Sequence, residues 1–189
     1  MFTRQATPRP RLRPTVLVAM IVAAALSRLL PHPPNFTPLG AMALFGGAYF
    51  ASRIAAVVAP LAAMFLSDCV FAVVNGWSLG WMTLVIYACI AASAWLGMRM
   101  RANVRPAGIA RGSILSALLF YLVVNFAVWA GSGMYPPTGS GLVACYVAAI
   151  PFLANTLAGY AAYGSVLFGG FALLQRRFEA LAPPTALQT

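Results

Sequence analysis

Ile54-Ala-Ala-Val-Val-Ala-Pro-Leu-Ala-Ala-Met-Phe-Leu-Ser-Asp68-Cys-Val-Phe-Ala-Val-Val74 is the stretch whose reading decides the fold. It is apolar throughout except near Asp68. As a helix rising about 1.5 Å per residue it is long enough to cross a hydrocarbon core of about 30 Å. Asp68 is the first acidic residue in the chain, and Glu179 is the second and last. A carboxylate at membrane depth is costly unless it faces a cavity or a partner, so Asp68 is the first candidate functional residue.

The rest of the chain has the same character. Of 189 residues, 62% are hydrophobic and 7% charged, and the mean hydropathy is +0.86, far from a soluble domain in which about a quarter of residues are charged. The composition predicts an all-α, polytopic membrane protein. Apolar stretches at Val16 to Leu30, Leu39 to Phe50, Ile54 to Val74, Leu79 to Met98, Ser113 to Ala130 and Leu142 to Leu174 predict six transmembrane helices. The second is short and has room to tilt, re-enter or extend into its flanks. The sixth is long enough to bend at Pro151 or to count as two.

The cations choose among these options, because all twelve are arginine. Six spans with both termini cytoplasmic place Arg4, Arg9, Arg11, Arg13, Arg53, Arg99, Arg101, Arg105, Arg111, Arg176 and Arg177 inside, eleven of the twelve. The external connections then carry none. A split sixth segment moves Arg176 and Arg177 outside, which favours six. The expected organisation is a basic, disordered leader over 1–14, a transmembrane domain over 15–175 and a cytoplasmic tail over 176–189, in a bacterial inner membrane. Arg-rich Met1 to Arg13 followed by Val16 to Ala25 also has the layout of a signal peptide, but cleavage upsets the charge pattern. The net charge of +10 reports topology and contact with anionic lipid rather than nucleic-acid binding.

With this topology the polar residues inside the spans gather in the outer half or near mid-membrane: Arg28 and His32 at the end of helix 1, Asp68 in helix 3, Tyr87 in helix 4, Asn125 in helix 5 and Asn155 in helix 6. The pattern predicts a cavity open outward and closed inward, whereas a channel needs polar lining at both levels. Arg28 is the natural partner of Asp68; the pair either ties two helices together or lines a binding site. Asn125 and Asn155 suit interhelical hydrogen bonds as well as ligand contacts. Pro31-His-Pro-Pro-Asn-Phe-Thr-Pro38 is stiff and cannot be helical throughout, so it fixes His32, Asn35 and Phe36. Trp77, Trp81, Trp129 and Tyr135 suit either loops that cap a ligand or an aromatic belt. Cys69, Cys89 and Cys145 show no metal-binding spacing and read as packing residues, and no resident cofactor or metal is expected. There is no GxxxxGK[ST], HExxH or GxSxG, and no pair of carboxylates, so an enzyme is not the expected reading. No inverted repeat is evident.

Ser27-Arg-Leu-Leu-Pro-His-Pro-Pro-Asn-Phe-Thr-Pro-Leu-Gly-Ala-Met-Ala-Leu-Phe-Gly-Gly47, followed by Leu66-Ser-Asp68 and Tyr87, resembles a family of small bacterial membrane proteins similar to the S-components of energy-coupling-factor transporters, nearest to BtuM-type cobalamin transporters. The resemblance implies an S-component-like six-helix bundle, an outward-facing pocket for a vitamin or related small solute such as cobalamin, and uptake by toppling in the membrane. It matches His32, Asp68 and Tyr87 to polar pocket positions. BtuM-type proteins carry a cysteine a few residues before that tyrosine, where this chain has Met82, a weaker, neutral ligand for a corrinoid metal. The resemblance also implies a coupling subunit and ATPases on separate chains, with Ala19 and Ala23 as the docking stripe, about 140° around helix 1 from Arg28 for Ala23. The alternatives are a stand-alone facilitator or channel, a structural membrane subunit, and an enzyme using Asp68 and His32.

Overall fold

The computed structural model describes residues 12–76 and 80–181. Arg4, Arg9, Arg11, Trp77 and the tail beyond Leu181 lie outside the described residues. Described residues form α1 (Leu12–Ser27), α2 (Leu39–Tyr49), α3 (Arg53–Asn75), α4 (Trp81–Met98), α5 (Pro106–Gly131) and α6 (Gly139–Gly164), which continues through a π-helical turn, Ser165–Gly169, into α7 (Gly170–Arg177) and a final turn, Glu179–Leu181. The architecture is all-helical, with no strand among the described residues.

Among the described residues, four helical rods are long and apolar enough to cross a membrane: α3, α4, α5 and the continuous run Gly139–Arg177. Their outward surfaces are apolar, with Ile54 76%, Val73 86% and Leu84 71% exposed, the inverse of a water-soluble bundle. Local chemistry sets the ends. Ser52 caps α3 by accepting from the Ala55 N–H at 3.2 Å, and Gly76 closes it in the left-handed conformation at φ 67°. Pro106 opens α5 at a position where a missing N–H costs nothing. Thr138 caps α6 through the Gly141 N–H.

Several boundaries differ from the expected ones. α1 starts inside the expected leader, so Arg13 is helical, and it stops at Ser27, leaving Arg28 in the following turn. α5 begins at Pro106 rather than Ser113, which takes in Arg111. The last long helix runs through Pro151 unbroken; its irregularity lies at Ser165–Gly169, within a glycine-rich stretch from Gly164 to Gly170. Arg176 and Arg177 end α7 rather than belonging to a tail.

α2 is the centre of the molecule. All ten residues from Leu39 to Ala48 are buried, as befits a helix that is apolar on every side. Its 11 residues span only about 16 Å. Close approach to α4 is possible because Gly47 and Gly97 lack side chains: a Cβ on Gly47 collides with the Ala94 carbonyl, and one on Gly97 with the Leu44 carbonyl. At the α2–α3 corner, Arg101 Nε donates to the Gly47 carbonyl at 2.9 Å and Nη1 to Ala51 at 3.2 Å, which fixes the end of α4 beside the start of α3. Phe45 and Tyr49 of α2 pack with Phe168 and Phe171 in a mostly edge-to-face aromatic cluster with ring centroids 4.6–5.7 Å apart.

Candidate functional site

Arg28, the first residue past α1, is turned into the bundle. Its Nη1 donates to Asp68 Oδ1 at 3.0 Å and to Ser67 Oγ at 2.5 Å, with Met64 Sδ at 2.7 Å. The Phe71 ring lies 5.5 Å from the guanidinium carbon, a cation–π distance. Ser67 spends its own proton on the Met64 carbonyl at 2.8 Å, which leaves its lone pairs for Arg28. The other carboxylate oxygen, Oδ2, accepts from the Tyr87 hydroxyl at 2.9 Å. The Arg28 and Asp68 side chains are 9% and 7% exposed. A buried ion pair survives desolvation only when its remaining polar atoms are also satisfied, and here Ser67 and Tyr87 contribute to that.

This knot tethers the end of α1, the C-terminal part of α3 and the first turns of α4. Asp68 is seven residues before the end of α3 at Asn75, so α1 stops about 10 Å short of the α3 terminus. With α2 shorter still, the chain from Arg28 to Pro38 dips into the bundle and one wall of a cavity of about 640 Å³ is made from it. Leu39, Phe71, Ile86 and Phe120 line the cavity together with Arg28 and Asp68. The first turn of α2 follows Pro38, whose ring offers no capping acceptor, and it borders the cavity at Leu39.

His32 and Asn35 line the same cavity. His32 is half-buried, with Nδ1 3.0 Å from the Pro33 carbonyl; a carbonyl only accepts, so Nδ1 holds the proton in that contact. Asn35 sits at φ 62°, a left-handed conformation asparagine tolerates better than most side chains. Asn155 is not in the lining. Its Nδ2 donates to the Pro34 carbonyl at 2.9 Å, holding the proline segment against α6. Asn125 is also outside: its amide donates to the Tyr121 carbonyl one turn back at 2.7 Å, and its carbonyl receives the Cys145 thiol at 3.4 Å. Tyr87 acts on the cavity through Asp68, and Met82 is outside the lining. Met82 is five residues before Tyr87, about 140° around the helix, whereas Thr83 at four residues shares its face and does line the cavity.

Thr37, Thr83, Thr156 and Tyr160 are cavity residues that inspection of the sequence passed over. The i, i+4 spacing puts Thr83 on the face of Tyr87 and Thr156 on the face of Tyr160, but spacing alone does not tell that these faces meet a cavity, and nothing local marks Thr37. Trp81, Trp129 and Tyr135 are not in the lining; Trp129 Nε1 donates to the Pro136 carbonyl at 3.0 Å. Cys69, Cys89 and Cys145 are free thiols. Ala19 and Ala23 lie on the exposed face of α1, opposite its buried Leu17, Ile21, Ala24 and Ala25.

A second, larger groove of about 970 Å³ opens between α5 and the α6–α7 rod. Tyr160 is a wall of both spaces. It is 2% exposed, and a Cβ on Gly40 falls inside its ring. The larger groove has Tyr49, Ser113, Ser165 and Arg176 in its lining, whereas the buried ion pair Arg28–Asp68 is in the wall of the smaller cavity.

Residues 9–181 match the model of a family of unknown function. The chain belongs to that family, DUF6580. The match takes in α1 through the final turn, so every cavity residue lies within it. No curated protein matches the chain, and no solved structure does. Within this DUF6580 member the roles of individual residues therefore rest on geometry.

Proposed function

We propose that this protein is an integral membrane substrate-binding protein, S-component-like, that takes up a vitamin or related small solute through the Arg28–Asp68 cavity. The observation that carries the reading is a cavity of about 640 Å³ with a buried ion pair in its wall, within the range of roughly 300–1,000 Å³ common to small-molecule sites.

In this reading α1 and α2 form a hairpin that enters and returns at the end of the bundle where Arg13, Arg53, Arg101 and Arg176 lie, so the orientation holds whether or not α2 crosses completely. That end is cytoplasmic by the positive-inside rule, in a bacterial inner membrane. Ala19 and Ala23 offer small residues to a separate coupling subunit with its own ATPases. Cobalamin ranks below smaller solutes, because the cavity is modest and Met82 lies outside it.

The test is thermal stabilisation of the detergent-purified full chain by a panel of vitamins and precursors, cobalamin and cobinamide included, repeated on Asp68→Asn. A ligand-dependent rise in Tm that the variant loses is the expected result. No shift with any compound favours a structural subunit, and solute flux into liposomes without ATP or partners favours a facilitator.

A further inference from the structure

The ion pair uses only part of Arg28. Nη1 meets Asp68, Ser67 and Met64, while Nε and Nη2 have no protein partner among the described residues and are not among the buried, unpartnered atoms. Those two donors form the side edge of the guanidinium, the planar fork that fits a carboxylate through two parallel hydrogen bonds. Asp68 cannot reach a solute as readily, because Arg28 holds Oδ1 and Tyr87 holds Oδ2. Asp68 is thus a positioning residue, and Arg28 presents the binding edge.

We propose that the occupant of the cavity is an amphipathic monocarboxylate, its carboxylate forked on Nε and Nη2 of Arg28 and its body against Leu39, Phe71, Ile86 and Phe120. This deepens the solute-binding reading and rests on it. Three features support the assignment. Arg28 lines the cavity while its counter-ion is already fixed by other groups. The first turn of α2, which lacks an N-cap side chain, borders the same space at Leu39, and a helix N-terminus favours negative charge nearby. The remaining wall is mainly apolar and Arg28 is the one arginine in the lining, so the cavity accommodates one anionic group and no second.

The experiment uses the full chain in detergent and three matched pairs: octanoate and octanamide, indole-3-acetate and indole-3-acetamide, nicotinate and nicotinamide. Binding is read by calorimetry and Tm. At least one acid is expected to bind about 10-fold or more tightly than its own amide, since the neutral amide loses the charge assistance and offers one acceptor oxygen. Arg28→Lys, which keeps the charge but not the fork, is expected to reduce that preference. Arg28→Gln combined with Asp68→Asn keeps a hydrogen-bonded pair without charge and is expected to abolish it; this double variant carries the test if the lysine variant does not fold. Equal binding of acids and amides, or a preference that survives the double variant, overturns the carboxylate assignment and leaves solute binding intact. If none of the six probes binds, the assignment also falls; a hit elsewhere in the vitamin panel then preserves the parent reading, and a blank panel removes both.

Discussion

At Asp68 the charge is held by residues from two other parts of the chain, and each bond has a measurable consequence. Replacing Asp68 with Leu strands a buried guanidinium and is expected to cost about 3–5 kcal/mol, whereas Arg28→Met with Asp68→Leu removes both charges and recovers most of the loss. Unfolding of the two single variants and the double variant measures the coupling directly. An additive double variant contradicts a stability role for the pair. Tyr87→Phe removes one donor to the carboxylate and is expected to cost about 1.5–3 kcal/mol; an unchanged Tm argues that the 2.9 Å bond contributes nothing net. Asp68 was legible in sequence because an acid in an apolar run has few innocent explanations. Asn125 and Asn155 were legible as polar but not as non-lining, since one residue of rotation decides whether a side chain meets a cavity or a neighbouring carbonyl.

Among the elements, α2 depends most on tight packing. Its contact with α4 is backbone against backbone at Gly47 and Gly97, so Gly97→Ala is expected to destabilise by about 1–3 kcal/mol through overpacking. Gly108→Ala, which meets only the Met100 sulfur at 3.8 Å, serves as the tolerated control, and similar Tm losses for both contradict the packing account. Phe45→Ala at the base of α2, fully buried among four-ring packing, is expected to cost about 3–5 kcal/mol.

For the whole molecule, the two ends differ in charge. Single cysteines in a chain otherwise free of them are the measurement: Asn103→Cys, in the α4–α5 connection near Arg101 and Arg105, is expected to react with an impermeant thiol reagent only after the membrane is opened. Ser132→Cys, just past α5, is expected to react in intact cells. The reverse pattern inverts the orientation and moves the cavity mouth to the cytoplasm. A single accessible side for both sites removes a crossing by α5.

The sequence by itself determined the all-helical, membrane-like class, the positions of six helical segments and the acid on which the site is built. These follow from composition and from apolar runs, which are local properties of a chain whose backbone must satisfy its own hydrogen bonds in lipid. Only the tertiary structure decided that α2 is a buried, half-length core helix, that α1 ends short so that Arg28 reaches Asp68, and that Thr83, Thr156 and Tyr160 face the cavity while Met82, Asn125 and Asn155 do not. Those outcomes depend on how far helices are offset along one another and how each is rotated about its axis. Contacts between distant residues fix both quantities, among them Arg28 with Asp68, Arg101 with Gly47 and Asn155 with Pro34, and no local pattern encodes them.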